Sequence, residues 1–247
     1  MRTRVASRRR RLRRLASATI VVAVLGASAL AAAAADLGGI DSGGLSSWSS
    51  PVSISLPPIY IADDPFSTDD CNGSLDGNTD SNGNVWRVHS GDWRYQVCDE
   101  IRVQSRVSMA HASLELGELD GFRLTAHLTR ISDRKNKSGP GIAFFSDGTE
   151  FMYLIYRRDT GNLEFGYYDS SGISVLQVEP ISDHDTAEIS VELSGPSVTV
   201  LVDGVVEMTA TIPNDVYATY WDNTRYGLVA DNDEWSRFNT FRVEYLR

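Results

Sequence analysis

The chain has 247 residues, 42% of them hydrophobic, which is enough to bury the core of one domain of ordinary size. It carries 33 acidic residues against 23 basic ones, a net charge of −10 with the histidines neutral. That balance argues against partners held by bulk positive charge: nucleic acid and anionic membrane surfaces repel such a protein, whereas divalent cations are attracted.

The charge is unevenly spread. Arg2, Arg4, Arg8, Arg9, Arg10, Arg11, Arg13 and Arg14 crowd the N-terminus, and an apolar Ala- and Val-rich run follows from about Thr19 to Ala33. Ala33-Ala34-Ala35 then precedes Asp36. A basic region, an apolar stretch and small residues before a polar one predict a secretory signal peptide over residues 1–35, cut near Ala35. The rival is an uncleaved membrane anchor, but the run is short for a hydrocarbon core of ~30 Å. A chain cut after Ala35 keeps 15 basic and all 33 acidic residues, net −18. Such a chain is expected to be secreted and to have no stable membrane association.

Residues 36–62 are rich in Gly, Ser and Pro, as in Asp41-Ser42-Gly43-Gly44, and read as a linker. Ile59-Tyr60-Ile61 is the place within it where ordered structure could begin. The rest, 63–247, suits one domain. Cys71 and Cys98 lie in the exported part, so a disulfide is expected.

Within the domain, period-two patterning dominates. Phe122, Leu124, Ala126 and Leu128 alternate with Arg123, Thr125, His127 and Thr129. Gly141 to Phe145 and Phe151 to Tyr156 are more continuously apolar and predict central strands covered on both faces. Ala187, Ile189, Val191 and Leu193 alternate with Glu188, Ser190 and Glu192. Ser197 to Ile212 reads as a hairpin over Asp203-Gly204, because these two residues supply the positive φ angles of a type I′ turn. Tyr226 to Ala230 and Phe238 to Tyr245 are the last strands expected. No amphipathic helix of ten residues is visible. Many short strands with Gly, Asp and Asn turns predict an all-β sandwich or jelly roll.

Asp64-Pro65-Phe66, Trp86, Gly91-Asp92-Trp93, the strand from Asp120 to Ile131, Gly141-Ile142-Ala143-Phe144-Phe145, Val200-Leu201-Val202-Asp203-Gly204, Tyr226-Gly227-Leu228-Val229 and Phe238-Asn239-Thr240-Phe241-Arg242-Val243 follow one another in an order that resembles the concanavalin A-like lectin/glucanase superfamily. The likeness is to its laminin G-like secreted bacterial form and spans about 63–247. It implies an antiparallel jelly-roll sandwich of two sheets, one curved, with an outer face often used for glycans. Members include lectins, glycan-binding modules, adhesion modules and β-glucanases. The glucanases of this fold carry alternating acidic residues on one strand, and no Glu-x-Asp-x-Glu or Glu-x-Asp-x-x-Glu run occurs here. The nearest cluster is Glu115-Leu116-Gly117-Glu118-Leu119-Asp120, where Glu118 and Asp120 share a face and Glu115 does not.

Candidate site residues follow from side-chain chemistry. Trp221 with Asp222, and Trp235 among Asp231, Asn232, Asp233 and Glu234, sit in segments that read as loops. Each joins a ring that can stack on a sugar to groups that accept its hydroxyl protons; the alternative is ordinary partial burial. Arg123 and His127 share a strand face and would touch ligand if that face is the binding one; otherwise they are a solvated sheet surface. Asp76, Asn78 and Asp80 place oxygen ligands at every second position, as calcium requires, but Ser81 and Arg87 break the loop motif. The alternative is a polar loop whose Asn, Asp and Gly serve turns. A second calcium position would join Asp64 to Asn239, as related jelly rolls often do between terminal strands. Trp86 and Trp93 are expected to pack around the disulfide.

These residues name no catalytic set. The first reading is a secreted, non-catalytic binding domain for a glycan or surface polysaccharide. A glycan-active hydrolase of the same fold and a protein-binding adhesion module of the envelope are the alternatives.

Overall fold

The computed structural model describes residues 58–246 apart from 69–70, 97, 105, 130, 132–138, 183 and 236. The expected signal segment and most of the expected linker lie outside the described residues. In chain order the strands are β1 (Tyr60–Asp64), β2 (Arg87–Ser90), β3 (Trp93–Gln96), β4 (Glu100–Val103), β5 (Ala110–Glu115), β6 (Phe122–Thr129), β7 (Gly139–Ser146) and β8 (Phe151–Arg157). They continue with β9 (Asn162–Asp169), β10 (Gly172–Pro180), β11 (Thr186–Ser194), β12 (Ser197–Val202) and β13 (Val205–Thr211). A short helix, α1 (Asn214–Tyr220), precedes β14 (Arg225–Asp231) and β15 (Arg237–Tyr245).

The strands form two antiparallel sheets, one ordered β13-β12-β11-β6-β15-β4-β3 and the other β10-β9-β8-β7-β14-β5-β2. β15 pairs with β6 along one edge, leaving β1 and β4 to share its other edge. β1 therefore starts inside the stretch expected to be linker: Tyr60 pairs with Glu244 and Ala62 with Val243.

Alternation decides which side chains meet between the sheets. Leu124 of β6 lies opposite Val191 of β11, and Ala126 opposite Ile189. All four are buried, while Arg123, His127, Glu188 and Glu192 alternate to the outer face. β7 and β8 are buried on both faces, as their unbroken apolar runs predict. Ile142, Phe144, Met152 and Leu154 join the main core. Ala143, Phe151, Tyr153 and Ile155 form a second cluster with Met109 and Val229, on the outer face of the seven-stranded sheet. Gly141 belongs to that face, where a β-carbon would meet the Leu154 carbonyl oxygen at 2.0 Å. Trp86 and Trp93 are core residues: Trp86 packs on Phe66 and Phe241, and Trp93 on Phe238.

The Asp203-Gly204 hairpin forms as the sequence predicts, with φ of 50° and 78° at its two turn residues. Asp203 does more than turn the chain. Its carboxylate accepts the Glu188 N–H at 2.8 Å, tying the turn to β11. Cys71 and Cys98 are joined in a disulfide. A loop of that length stabilises by about 3–4 kcal/mol on the chain-entropy account.

Candidate functional site

α1 creates the first concave feature. Tyr217 and Trp221 are four residues apart, and the Trp221 N–H donates to the Tyr217 carbonyl at 3.0 Å, so both rings leave the same helical face. Tyr217 is anchored edge-on to Phe145 of β7. The Phe145 carbonyl, turned outward by a positive φ of 49°, accepts from the Asn223 side chain at 3.2 Å. The loop between β5 and β6 faces this corner. Leu116 donates its N–H to Thr224, and Leu246 donates to Gly121. The result is a pocket of about 340 Å³ lined by Glu118, Leu119, Asp120, Tyr217 and Trp221. Trp221 is 46% exposed.

A second concave feature lies on the outer face of the seven-stranded sheet. Arg157, Asn162, Glu164 and Asp231 alternate onto that face and line a cleft of about 480 Å³ with Asp159, Thr160, Val178 and Asn232. Arg157 bonds both oxygens of Glu164, at 2.6 and 3.0 Å, and Asp231 at 2.5 Å. Burial opposes the Arg157 charge, but the bonds to Glu164 and Asp231 outweigh it and raise its pKa above the ordinary value. Glu164 also accepts from the Tyr153 hydroxyl. Asp231 also accepts from Ser108, the Met109 N–H and Asn232. A glycosidase pair needs one carboxyl that donates a proton to the leaving group. Each partner of these two carboxylates is itself a donor.

The other candidate residues fall in separate places. Trp221 lines the α1 pocket, but Asp222 does not; Glu118 and Asp120 supply its carboxylates. Trp235 stands at the opposite end of β14, whose seven residues span about 20 Å. It shares a shallow feature with Arg102, Gln104 and Glu234, so the two tryptophans cannot grip one sugar. Arg123 is held on the outer face of the eight-stranded sheet by Glu192 and Glu244, and its pKa is raised first by the Glu192 hydrogen bond. His127 lies opposite Glu188 on the same face.

The proposed calcium ligands are otherwise engaged. Asp80 accepts from Asp63, Asn82 and Asn84 N–H groups and from the Asn84 side chain. Asp76 accepts the Val88 N–H, and the Asn78 amide donates to the Ser74 carbonyl. The loop is thus organised by its own backbone, which is the turn reading. Asp64 and Asn239 have separate hydrogen-bond partners. Asp64 accepts from Trp86 Nε1 at 2.6 Å and the Phe66 N–H at 2.7 Å, and burial raises its pKa despite those bonds. Asn239 turns to Glu100. Among the described residues, no group of three His, Cys, Asp or Glu side chains is arranged to hold a metal.

The outer-face cleft escaped sequence reasoning because its residues come from three strands. The only local signal was Arg157 and Glu164 flanking a turn at Thr160-Gly161.

Compared by sequence, the chain matches no family model and no curated protein. Its fold does have counterparts. One is a structure from work on endo-acting O-glycanases, which members of the human gut microbiota express to initiate mucin breakdown. It is 10% identical, with a TM-score of 0.52, and the match covers 76% of this chain and all of the other. The fold is a jelly-roll sandwich of two antiparallel sheets. Weaker likenesses are to the carbohydrate-binding module CBM66 of Bacillus subtilis and to the mannose- and calcium-bound exoplasmic/lumenal domain of VIP36. The first is 13% identical, with a TM-score of 0.46 over 65% of this chain and 91% of that one. The second is 10% identical, with a TM-score of 0.49 over 75% and 90%. At such identities this jelly roll shares its backbone arrangement with its neighbours, and function has to be argued from its own side chains.

Proposed function

We propose that this jelly roll is a secreted, non-catalytic carbohydrate-binding domain that holds its glycan in the pocket beside α1. The observation that carries this reading is the half-exposed Trp221 ring set beside two exposed carboxylates, Glu118 and Asp120. A flat aromatic face stacks on the C–H face of a pyranose, and carboxylates accept its hydroxyl protons. The pocket rim is held by backbone bonds on both sides, so little ordering cost is left for binding. The basic and apolar N-terminus supports export, and the disulfide fits an oxidising compartment. The order of sequence motifs that resembles laminin G-like secreted domains supports a glycan on a cell surface or in the surrounding matrix.

The test is a glycan array probed with the exported protein, with and without calcium, beside Trp221→Ala. Binding to a defined glycan that falls at least tenfold in the variant is the expected result. Failure to bind any glycan refutes it.

The competing reading is a hydrolase using Glu164 and Asp231 of the outer-face cleft, although Arg157 holds both carboxylates there. Release of reducing sugar from a polysaccharide, abolished by Glu164→Gln, would establish that reading instead.

A further inference from the structure

Building on the carbohydrate reading of the α1 pocket, we infer that its preferred ligand is cationic: an amino sugar whose ammonium is free. Several carboxylates of the domain are neutralised in pairs with arginine. Glu115 meets Arg225, Glu192 and Glu244 meet Arg123, Glu100 meets Arg237, and Asp63 meets Arg242. Glu118 and Asp120 are not among these pairs. Among the described residues neither makes a side-chain hydrogen bond or ion pair, and the pocket they line contains no basic side chain. The nearby Arg225 is already engaged by Glu115 at 3.0 Å.

Behind the pocket, in the core and outside its lining, lies Tyr226. Tyr226 is fully buried, and its hydroxyl, against the Leu119 backbone, has no hydrogen-bond partner of normal geometry. Burial raises its pKa, and the Glu118 and Glu115 charges add to that effect. The Glu118 and Glu115 carboxylates add here to the acidic charge of the whole domain.

The lining chemistry selects among cations. A hard metal ion takes six to eight oxygens, and two carboxylates beside two aromatic rings do not supply them. An organic ammonium suits the site, since tryptophan is the best cation–π face and the two carboxylates accept its N–H groups. A pocket of about 340 Å³ with an indole on one side also has room for a ring, not only a headgroup. Glu118 and Asp120 thus confer selectivity for charge, while Trp221 supplies the stacking surface that any sugar would use.

Calorimetric titration of the exported protein tests this with four probes: glucosamine hexamer, N-acetylglucosamine hexamer, cellohexaose and choline. At low salt and mildly acidic pH, glucosamine hexamer should bind about tenfold more tightly than either neutral oligomer. At about 0.5 M salt that preference should shrink toward unity. The E118Q/D120N double variant should bring glucosamine hexamer down to the affinity of cellohexaose, and its unchanged melting temperature would show that the fold is intact. Equal binding of neutral and amino oligomers overturns the charge inference and leaves the carbohydrate reading standing. Binding of no oligomer overturns both. Choline matching glucosamine hexamer overturns the requirement for a sugar.

Discussion

His111 makes the stability of this domain depend on pH in a calculable way. The side chain is 1% exposed and stacks between His89 and Phe151, at 4.8 and 4.4 Å between ring centroids. Neither ring nitrogen has a hydrogen-bond partner of normal geometry, and a weak contact with the Gly148 backbone does not offset burial. Burial, reinforced by His89, lowers its pKa to about 3. Unfolded, the same ring titrates near its ordinary value of about 6.5. Below that value the unfolded chain binds a proton that the native state refuses, so stability falls as the pH drops from about 6.5 toward 3. Between about pH 7.5 and pH 5 the linkage amounts to about 2 kcal/mol. His89, also lowered by burial, acts in the same direction. His111→Phe keeps a ring in the stack and removes the titration. Urea unfolding of both proteins at the two pH values isolates the effect from the carboxylates they share. Wild type should lose about 2 kcal/mol more than the variant, roughly 1 M in urea midpoint. Equal losses in the two proteins would refute the assignment of His111 as a buried neutral ring.

Two further predictions follow from close contacts. Gly141→Ala puts a methyl group 2.0 Å from the Leu154 carbonyl oxygen, in a strand paired on both sides by β8 and β14, where neither backbone can yield cheaply. We expect a loss of about 2–3 kcal/mol and a melting temperature lower by about 5–10 °C, read by circular dichroism; a change within 1 °C would show that the strands separate freely. Because Asp80 and Asp64 already accept N–H donors, EDTA or millimolar calcium should leave the melting temperature within about 1 °C. A rise of several degrees with calcium would mean that these carboxylates exchange their donors for an ion.

The strands were legible wherever one face is buried and the other solvated. The β6 and β11 patterns read directly from residue order because a period of two survives any choice of partner. The Asp203-Gly204 turn was legible for the same local reason. The short helix was not. Asn214–Tyr220 has no side-chain N-cap and only seven residues, and its rings are held by Phe145 and Tyr167 rather than by helix propensity. The calcium expectation met a different limit. Alternating oxygens look alike whether they will bind an ion or a row of N–H groups, and only the folded loop shows that Asp80 caps its own backbone.

The sequence by itself determined the class of this protein: an acidic, disulfide-bearing, all-β domain with a hairpin at Asp203-Gly204 and strands whose inner faces are set by alternation. The hairpin and the strand faces depend on neighbours one to four residues apart, and the charge and the cysteine count on composition alone. Tertiary structure decided everything that depends on residues far apart in the chain. It placed Trp221 beside Glu118 and Asp120 instead of beside Asp222 or Trp235, and it gathered Arg157, Glu164 and Asp231 from three strands. A ligand meets a surface assembled from separate strands and loops, and period-two patterning carries no information about which loops will meet at the end of a sandwich.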